Sequence, residues 1–481
     1  MTMTDIRTRA DGLAARSLGL KLMVILLLVV LMAVPIIFIS VVSFERSSRA
    51  DDVTREISQT YGGEQRLMGP VVVVPYRRDL GNNRFETGDY VVSALEGEAV
   101  LEGIAVDEKR RSLYRVPVYT VDGTLGARLP SLADALPERG GYDFAVEDAQ
   151  IVVGLADVTG LQRDVSLSVD GTTRVFEPYT PARGASPSRY VPPVTHVDET
   201  GKTVVVREAV GAVGMVSDAL QPGGLTLLSL PAGEVLGGGE TQVSVDFALT
   251  GAQTLSVVPY ARSTRLRVSS AWPHPGFEGR FPPGSRTITD DGFEAEWSVP
   301  FLRRGVPASG TASEMGALIG GIGAMGVRFV TPLDPYQTVN RALKYAVMFI
   351  GLVFLAYFLM ETLLGVRVHP AQYLLIGLAQ AVFYLLLLAF AEQIGFTPAF
   401  LISALATVAL TSLYAGAVFG RSLIWKSALV FGTVYALLFV LMRIQDFALM
   451  VGALVCFTAI AATLYLTRNL DWYGDKDGQV P

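Results

Sequence analysis

The chain has 481 residues, of which 51% are apolar and 17% are charged, and its formal net charge is -6. This composition lies between that of a soluble protein and that of a pure helix bundle, so we expect a chain with two different parts. The only cysteine is Cys456, which excludes a domain stabilised by disulfide bonds.

The N-terminal region has the pattern of a membrane anchor. It carries four basic residues ahead of the first apolar run: Arg7, Arg9, Arg16 and Lys21. The run at 22–42 holds no charge and is longer than the roughly 7 to 15 apolar residues of a secretory signal. We predict a transmembrane helix at 22–43 that acts as an uncleaved signal anchor, with residues 1–21 in the cytoplasm. A cleaved signal peptide is the alternative.

Residues 44–340 form a long acidic segment without a run able to span a bilayer. It contains 37 Asp plus Glu against 27 Lys plus Arg, which leaves 10 net negative charges. Nucleic-acid binding requires a clustered basic surface, so this composition excludes that function for the segment.

Alternating apolar and polar residues in this segment predict β-strands. The stretch at 242–249 alternates strictly, and the stretch at 293–299 places Phe293, Ala295 and Trp297 on one face and charges on the other. Three further strand-like stretches lie at 71–76, 113–119 and 164–169. We predict a mainly β, sandwich-like domain over 44–340.

The C-terminal third, 341–466, is almost continuously apolar and is broken only by short polar joints. Each run approaches the roughly 20 residues that a helix needs to cross the hydrocarbon core. Five spans are predicted, at 342–364, 371–391, 398–420, 424–442 and 447–466. With the N-terminal helix they make six transmembrane helices, and 467–481 is a short tail.

The charges of the joints predict the orientation of these spans. Arg367 with His369, Arg421 with Lys426, and the basic residues of the tail all fall on the cytoplasmic side if the first helix starts there. We therefore expect both termini in the cytoplasm and, in a bacterium, the β domain in the periplasm.

One candidate site is the rigid sequence Trp272-Pro273-His274-Pro275. An aromatic and a titratable side chain held between prolines suit a recognition loop for a partner or glycan, because proline lowers the entropy lost on binding. The structural alternative is a buried tryptophan at a sheet corner. The spacing of the three histidines does not suggest a metal site.

A second candidate is the cytoplasmic joint formed by Glu361, Arg367, His369 and Pro370. Glu361 and His369 could meet as a pH-responsive pair. A plain interfacial turn, with Pro370 in the first turn of the next helix, is the alternative.

Inside the spans the polar residues are those of helix packing. Gln380 and Tyr384 lie one turn apart, and Ser412, Gly416 and Gly420 form a small-residue face for close helix contact, within the chain or between protomers. None of the spans has a charge near its centre, which argues against a proton-coupled transporter.

One glycine pattern, at 321–326, matches the dinucleotide-binding fingerprint. That fingerprint needs a helix after it, whereas the residues that follow, at 327–330, are typical of a strand. We therefore predict no nucleotide cofactor, and the sequence shows no catalytic or metal motif.

Six ordered stretches resemble the CreD family of bacterial inner-membrane proteins. They are GGEQRLMGP at 62–70, LSVVP at 255–259, SSAWPHPGF at 269–277, DPYQTVNRALKY at 334–345, HPAQYLL at 369–375 and LTRNLDWY at 466–473. The resemblance covers about 20–473. It implies a protein of cell-envelope integrity that is linked to envelope stress, the β-lactam response and colicin tolerance, and it brings no catalytic residues with it.

The leading hypothesis is therefore a non-enzymatic inner-membrane protein that supports or senses the cell envelope. A transporter of an envelope component, and a membrane enzyme acting on lipid or peptidoglycan precursors, are the alternatives. The expected partners are the lipid bilayer, other envelope proteins or cell-wall components, and a second copy bound through the transmembrane helices.

Overall fold

The computed structural model divides the chain into two compact units, the helical unit (Met1–Asp51 with Leu333–Pro481) and the β domain (Asp52–Pro332). The structure describes residues 18–80, 85–111, 114–138, 141–180, 195–197, 203–205, 224–236, 238–331, 335–366, 368–444 and 447–468.

The first helix consists of α1 (Leu18–Leu31) and α2 (Ala33–Thr60). The irregularity between them precedes Pro35, whose missing N–H removes one helical hydrogen bond. Helix α2 does not end with the apolar run near residue 43. It continues through a polar stretch to Thr60 and stops before Gly62 and Gly63, which both have positive φ angles.

Of the remaining long helices, the first is amphipathic and the other five are apolar along most of their length. They are α3 (Pro335–Lys344), α4 (Ala346–Leu364), α5 (Pro370–Ile394), α6 (Phe396–Phe419), α7 (Ile424–Arg443) and α8 (Ala448–Thr467). Within the described residues, six helices are long and apolar enough to cross a membrane, one near the N-terminus and five near the C-terminus. This confirms the predicted pattern of one plus five spans.

The β domain contains twenty strands among the residues that the structure describes. In chain order they are β1 (Gln65–Asp79), β2 (Phe85–Val92), β3 (Ala94–Arg111), β4 (Tyr114–Leu129), β5 (Tyr142–Phe144), β6 (Gln150–Leu155), β7 (Ser166–Val169), β8 (Thr172–Val175), β9 (Glu177–Pro178), β10 (Thr195–Val197), β11 (Thr203–Val205), β12 (Thr226–Pro231), β13 (Thr241–Ala252), β14 (Thr254–Val258), β15 (Ala261–Ser270), β16 (Pro275–Gly279), β17 (Ser285–Thr289), β18 (Gly292–Val299), β19 (Ser309–Thr311) and β20 (Met325–Phe329).

Two large sheets account for most of these strands. The ten-stranded sheet has the order β16-β20-β14-β1-β6-β12-β9, with β2 and β5 also paired to β1, and β19 paired to β2. The eight-stranded sheet has the order β17-β18-β15-β3-β4-β13-β7-β8, and β10 and β11 form a two-stranded sheet among the described residues. Strand β1 is central because it pairs with β2, β5, β6 and β14. Its successive valines at 71–74 are all buried, so both faces of this strand are covered.

The two sheets enclose one apolar core, as the sandwich prediction required. Trp297 of the eight-stranded sheet meets Phe277 of the ten-stranded sheet at a centroid distance of 5.8 Å, and Tyr119 meets Phe329 at 5.1 Å. Residues of both sheets belong to the same buried cluster. The mainly β fold is thus confirmed, and the β domain is one unit.

Tyr260 connects the two sheets at the point where the chain passes from β14 to β15. Its ring is fully buried, and its hydroxyl donates to the Gly126 carbonyl at 2.7 Å. A Cβ on Gly69 of β1, or on Gly97 of β3, would lie 2.5–2.6 Å from the nearest atoms of this ring. The two glycines therefore provide the space in which one aromatic ring can contact both sheets.

The strand predictions agree with the observed elements. The alternating stretches at 242–249 and 293–299 lie in β13 and β18, and the valine-rich stretch lies in β1. The glycine pattern at 321–326 forms a turn that leads into β20, so it lacks the helix of a dinucleotide site.

We predict that Gly97→Ala lowers the free energy of unfolding of the β domain, because its methyl group would overlap the Tyr260 ring. Such overpacking costs about 1–3 kcal/mol. Gly126→Ala is the matched control, since its Cβ would make an ordinary contact at 3.5 Å. Denaturant unfolding followed by tryptophan fluorescence measures both variants. Equal losses of stability would contradict the role assigned to Gly97.

Candidate functional site

A buried carboxylate lies at one end of the helical unit. Glu361 is in the last turn of α4 and is only 5% exposed. Lys21 of α1 forms an ion pair with its Oε1, which also accepts the Val368 N–H at 2.8 Å. The Tyr373 hydroxyl of α5 donates to Oε2 at 2.7 Å. Both carboxylate oxygens therefore have partners, and three chain segments meet at this one side chain.

The local turn explains why one of these donors is a backbone amide. Gly365 ends α4 in the left-handed conformation, with φ 66°. The chain then doubles back, so that the N–H of buried Val368 points at Glu361. A carboxylate in the last turn of a helix is disfavoured by the helix dipole. Glu361 is tolerated there because Lys21, Val368 and Tyr373 all donate to it.

His369 forms its hydrogen bonds with residues of α5 and not with Glu361. It is the N-cap of α5, and its Nδ1 accepts the Ala371 N–H at 3.2 Å. The Gln372 side chain accepts the His369 N–H at 3.2 Å, which completes a capping box around Pro370 in the first turn. The structure thus places His369 and Pro370 in a helix-starting turn and does not join His369 to Glu361. Arg367 lies outside the described residues.

A second polar cluster lies at the opposite end of the same helices. Glu392, near the end of α5, accepts the Tyr336 hydroxyl at 3.1 Å and lies 3.6 Å from Arg46 of α2. Close by, the fully buried Ser43 hydroxyl donates to Asn340 of α3 at 2.7 Å. Within the helical unit, the N-terminal helix is therefore attached to the other helices by polar contacts at Lys21 and again at Ser43 and Arg46.

Between the two polar ends, the first helix packs closely on α5. A Cβ on Gly377 would lie 2.6 Å from the Met32 sulfur and 2.8 Å from the Phe354 ring. Only glycine leaves room for this approach. Because Lys21 lies beside the start of α5 and Arg46 beside its end, the first helix and α5 run in the same direction.

The predicted polar residues of the spans have separate partners. Gln380 accepts a short hydrogen bond from the Tyr435 hydroxyl of α7, and this bond joins α5 to α7. Tyr384 is buried and packs against the ring of Phe383 at 4.9 Å. Gln380 thus serves a contact between helices, and Tyr384 belongs to the buried interior of the helical unit.

The small-residue face of α6 is used within the chain. A Cβ on Gly416 would lie 2.1 Å from Ile424, the first residue of α7. Gly420 ends α6 with a φ of 110°, and Ser412 is buried. Gly416 thus permits the tight turn between α6 and α7.

In the β domain, Trp272 and His274 occupy one loop. The Trp272 indole N–H donates to the Val330 carbonyl at 3.1 Å, and the half-buried ring packs on the main core. His274 is exposed, and its ring lies edge-on to the Trp272 ring with 6.4 Å between the ring centroids. Pro273 lies between these two residues, and Pro275 is the first residue of β16. The loop is thus braced on β20, with the imidazole in solvent.

The sequence showed Glu361 but not its partners. In the sequence, Lys21 indicates only membrane orientation, and no pattern marks Tyr373. Lys21 and Glu361 are 340 positions apart, so no local pattern can relate them. Among the described residues, no group of three or more His, Cys, Asp or Glu could hold a metal ion. The site thus stabilises one carboxylate through three hydrogen-bond donors.

We predict that Tyr373→Phe lowers the free energy of unfolding of the helical unit by about 1–3 kcal/mol, because it removes a hydrogen bond to a charged carboxylate. Tyr384→Phe is the matched control: it is a buried tyrosine on the same helix that does not contact a carboxylate. Unfolding by a graded increase of denaturing detergent measures both. If Tyr384→Phe lowered the free energy of unfolding as much as Tyr373→Phe, the hydrogen bond to Glu361 would have no particular role in stability.

Comparison with known proteins identifies the family. The family model described as Inner membrane protein CreD matches residues 17–473. The Inner membrane protein CreD of Escherichia coli (strain K12) is 30% identical over 458 residues, which cover 92% of this chain and 91% of that protein. Together with the six apolar helices, these matches indicate a multi-pass protein of the inner membrane. The chain belongs to the CreD family of inner membrane proteins.

Proposed function

We propose that this protein is a non-enzymatic component that supports the integrity of the cell envelope. Its β domain lies in the periplasm, and both of its termini lie in the cytoplasm. The β domain is continuous with α2 at one end and leads to α3 at the other, so both of its chain ends lead into the helical unit.

The observation that carries this proposal is the attachment of the first helix at three levels. Lys21 binds Glu361, Met32 packs against Gly377, and Ser43 and Arg46 contact Asn340 and Glu392. The charged groups at the ends of the helical unit thus serve assembly. A catalytic site would require Glu361 and His369 to act together. Each of them instead forms a hydrogen bond that stabilises the local structure.

The distribution of charge supports the proposed orientation. Lys21 lies at the Glu361 end of the helical unit, and the joint between α6 and α7, with Arg421 and Lys426, lies at that end too, because Ser427 contacts Met360 of α4. Basic residues of short joints favour the cytoplasmic side. The Glu361 end is therefore the cytoplasmic end in this proposal.

Deletion of the gene should raise sensitivity to detergents and β-lactams, and the wild-type protein should restore resistance. At equal membrane levels, Glu361→Gln should restore it only in part, because the first helix loses its charged attachment. His369→Asn is the matched control and should restore it fully, since Asn is also a good N-cap.

Growth assays across a panel of detergents and cell-wall antibiotics measure these effects. A deletion strain with wild-type sensitivity throughout the panel would overturn the envelope role. Failure of His369→Asn would instead show that the imidazole itself is needed.

A transporter is the second candidate, and one observation favours it. Four buried side-chain atoms of the spans have no hydrogen-bond partner among the described residues: Tyr357 Oη, Gln380 Nε2, Ser403 Oγ and Ser412 Oγ. Buried polar groups of this kind are often satisfied by water. A hydrated path between the helices would provide that water.

The transporter candidate predicts that water reaches Ser403. With Cys456→Ser as background, Ser403→Cys should then react with a membrane-impermeant thiol reagent in intact vesicles. Ser285→Cys, exposed on β17, is the positive control for labelling of the protein. Labelling of Ser285→Cys alone would mean a packed bundle and would eliminate this candidate.

A further inference from the structure

Two exposed aliphatic side chains of the β domain lie close to an unusual group of arginines. Leu302 is 91% exposed and Ile322 is 67% exposed, and they are the two most exposed large apolar side chains of this domain among the described residues. Leu302 lies in the helical turn Phe301–Arg304, and Ile322 lies in the turn that precedes β20.

Arg280 brings these two turns together. Its guanidinium lies 3.8 Å from the position that a Cβ on Gly305 would occupy, and its Cδ lies 3.7 Å from that of Gly323. Phe281, buried beneath, has the guanidinium groups of Arg280 and Arg303 at 5.8 Å and 5.5 Å from its ring. The two turns therefore form one continuous surface.

Arg262 extends this surface, since its guanidinium lies 5.0 Å from the Phe301 ring. We define the arginine-aliphatic patch as Arg262, Arg280, Leu302, Arg303 and Ile322. Its three arginines are exposed, and each contacts an aromatic ring. Such contacts hold the guanidinium groups near the surface while leaving their N–H groups available.

Carboxylates do not neutralise these arginines. Within the part of the chain that the structure describes, none of the three forms an ion pair, although the domain is acidic overall. Glu278 is the nearest carboxylate along the chain from Arg280, and it pairs with Arg328 at 2.8 Å. By contrast, Arg128 has both Glu96 and Glu240 at 2.8 Å.

A fourth arginine, which is buried below this surface, adds a further positive charge. Arg304 follows Arg303 in the same turn and is only 3% exposed. Its Nη2 donates to the Ser93 hydroxyl at 2.7 Å, while Nε and Nη1 have no partner among the described residues. Burial lowers the pKa of Arg304 to about 10, so the side chain still carries its charge at neutral pH. The positive charge of this turn thus lacks a counter-ion within the described chain.

We propose that the arginine-aliphatic patch binds the surface of an anionic lipid membrane. Leu302 and Ile322 enter the boundary between headgroups and acyl chains, where exposed apolar side chains are stabilised. The arginines bind the phosphates of the anionic headgroups, which they match in charge and hydrogen-bonding geometry. Each arginine contributes about a fivefold gain in binding, so three contribute about a hundredfold.

The test places an environment-sensitive fluorophore on the patch of the full-length protein. Leu302→Cys, in the Cys456→Ser background, is labelled and reconstituted in vesicles of phosphatidylcholine alone or with about one third phosphatidylglycerol. We expect a blue shift, and quenching by nitroxide lipids, only in the anionic vesicles. Ile288→Cys is the matched control, because Ile288 is an exposed aliphatic residue on β17 that does not belong to the arginine-aliphatic patch, and its probe should remain in water.

Reversing the charge of the three arginines distinguishes binding to anionic lipid from burial of the patch against a protein. Arg262→Glu, Arg280→Glu and Arg303→Glu together should abolish the blue shift, and several hundred millimolar salt should weaken it. An unchanged melting temperature shows that this triple variant is folded. A Leu302 probe that stays in water in both vesicles would overturn the proposal. A blue shift that is independent of lipid charge and of the arginines would overturn it too, because the patch would then be covered by a second copy or another protein.

Discussion

The helical unit depends on the neutralisation of one buried charge. A carboxylate with little access to water is strongly disfavoured unless it is paired and hydrogen-bonded. Glu361 satisfies this condition only when α1, the turn at Val368 and α5 are all in place, because each supplies one donor. The requirement therefore ties the N-terminal helix to helices that follow it by more than three hundred residues. It specifies one arrangement of these segments more sharply than apolar packing between lipid-facing helices can.

In the β domain, the packing of one large side chain against two glycines determines how closely the sheets approach each other. Tyr260 fills the space over Gly69 and Gly97, and its hydroxyl is satisfied by a backbone carbonyl. An aromatic ring fixed in this way fixes the separation of the sheets locally, because neither glycine can accept a side chain. Among the described residues of the same domain, Arg262, Arg280 and Arg303 form no ion pair, whereas Arg128, Arg267 and Arg328 each pair with carboxylates of neighbouring segments. The contrast marks the region around Phe301 as a surface that is not devoted to folding.

The fold class could be predicted because it depends on quantities that the sequence displays directly. The lengths of the apolar runs indicate the spans, and the alternation at 293–299 indicates a strand with one buried face. The site could be predicted only in part. Glu361 was visible as a charge at the end of a span, but its pairing with Lys21 is a tertiary property. His369 was visible as a titratable group, yet the adjacent Pro370 and Gln372 make it a helix cap.

The central claim is that Lys21 and Glu361 stabilise the helical unit through each other. A double-mutant cycle tests it most directly, with Lys21→Met, Glu361→Gln and the double variant unfolded in the same detergent. The account predicts that the double variant loses clearly less stability than the sum of the single losses, because removing either partner alone leaves the other charge poorly compensated. Single losses that simply add would contradict the account and would mean that Lys21 and Glu361 do not stabilise the helical unit through each other.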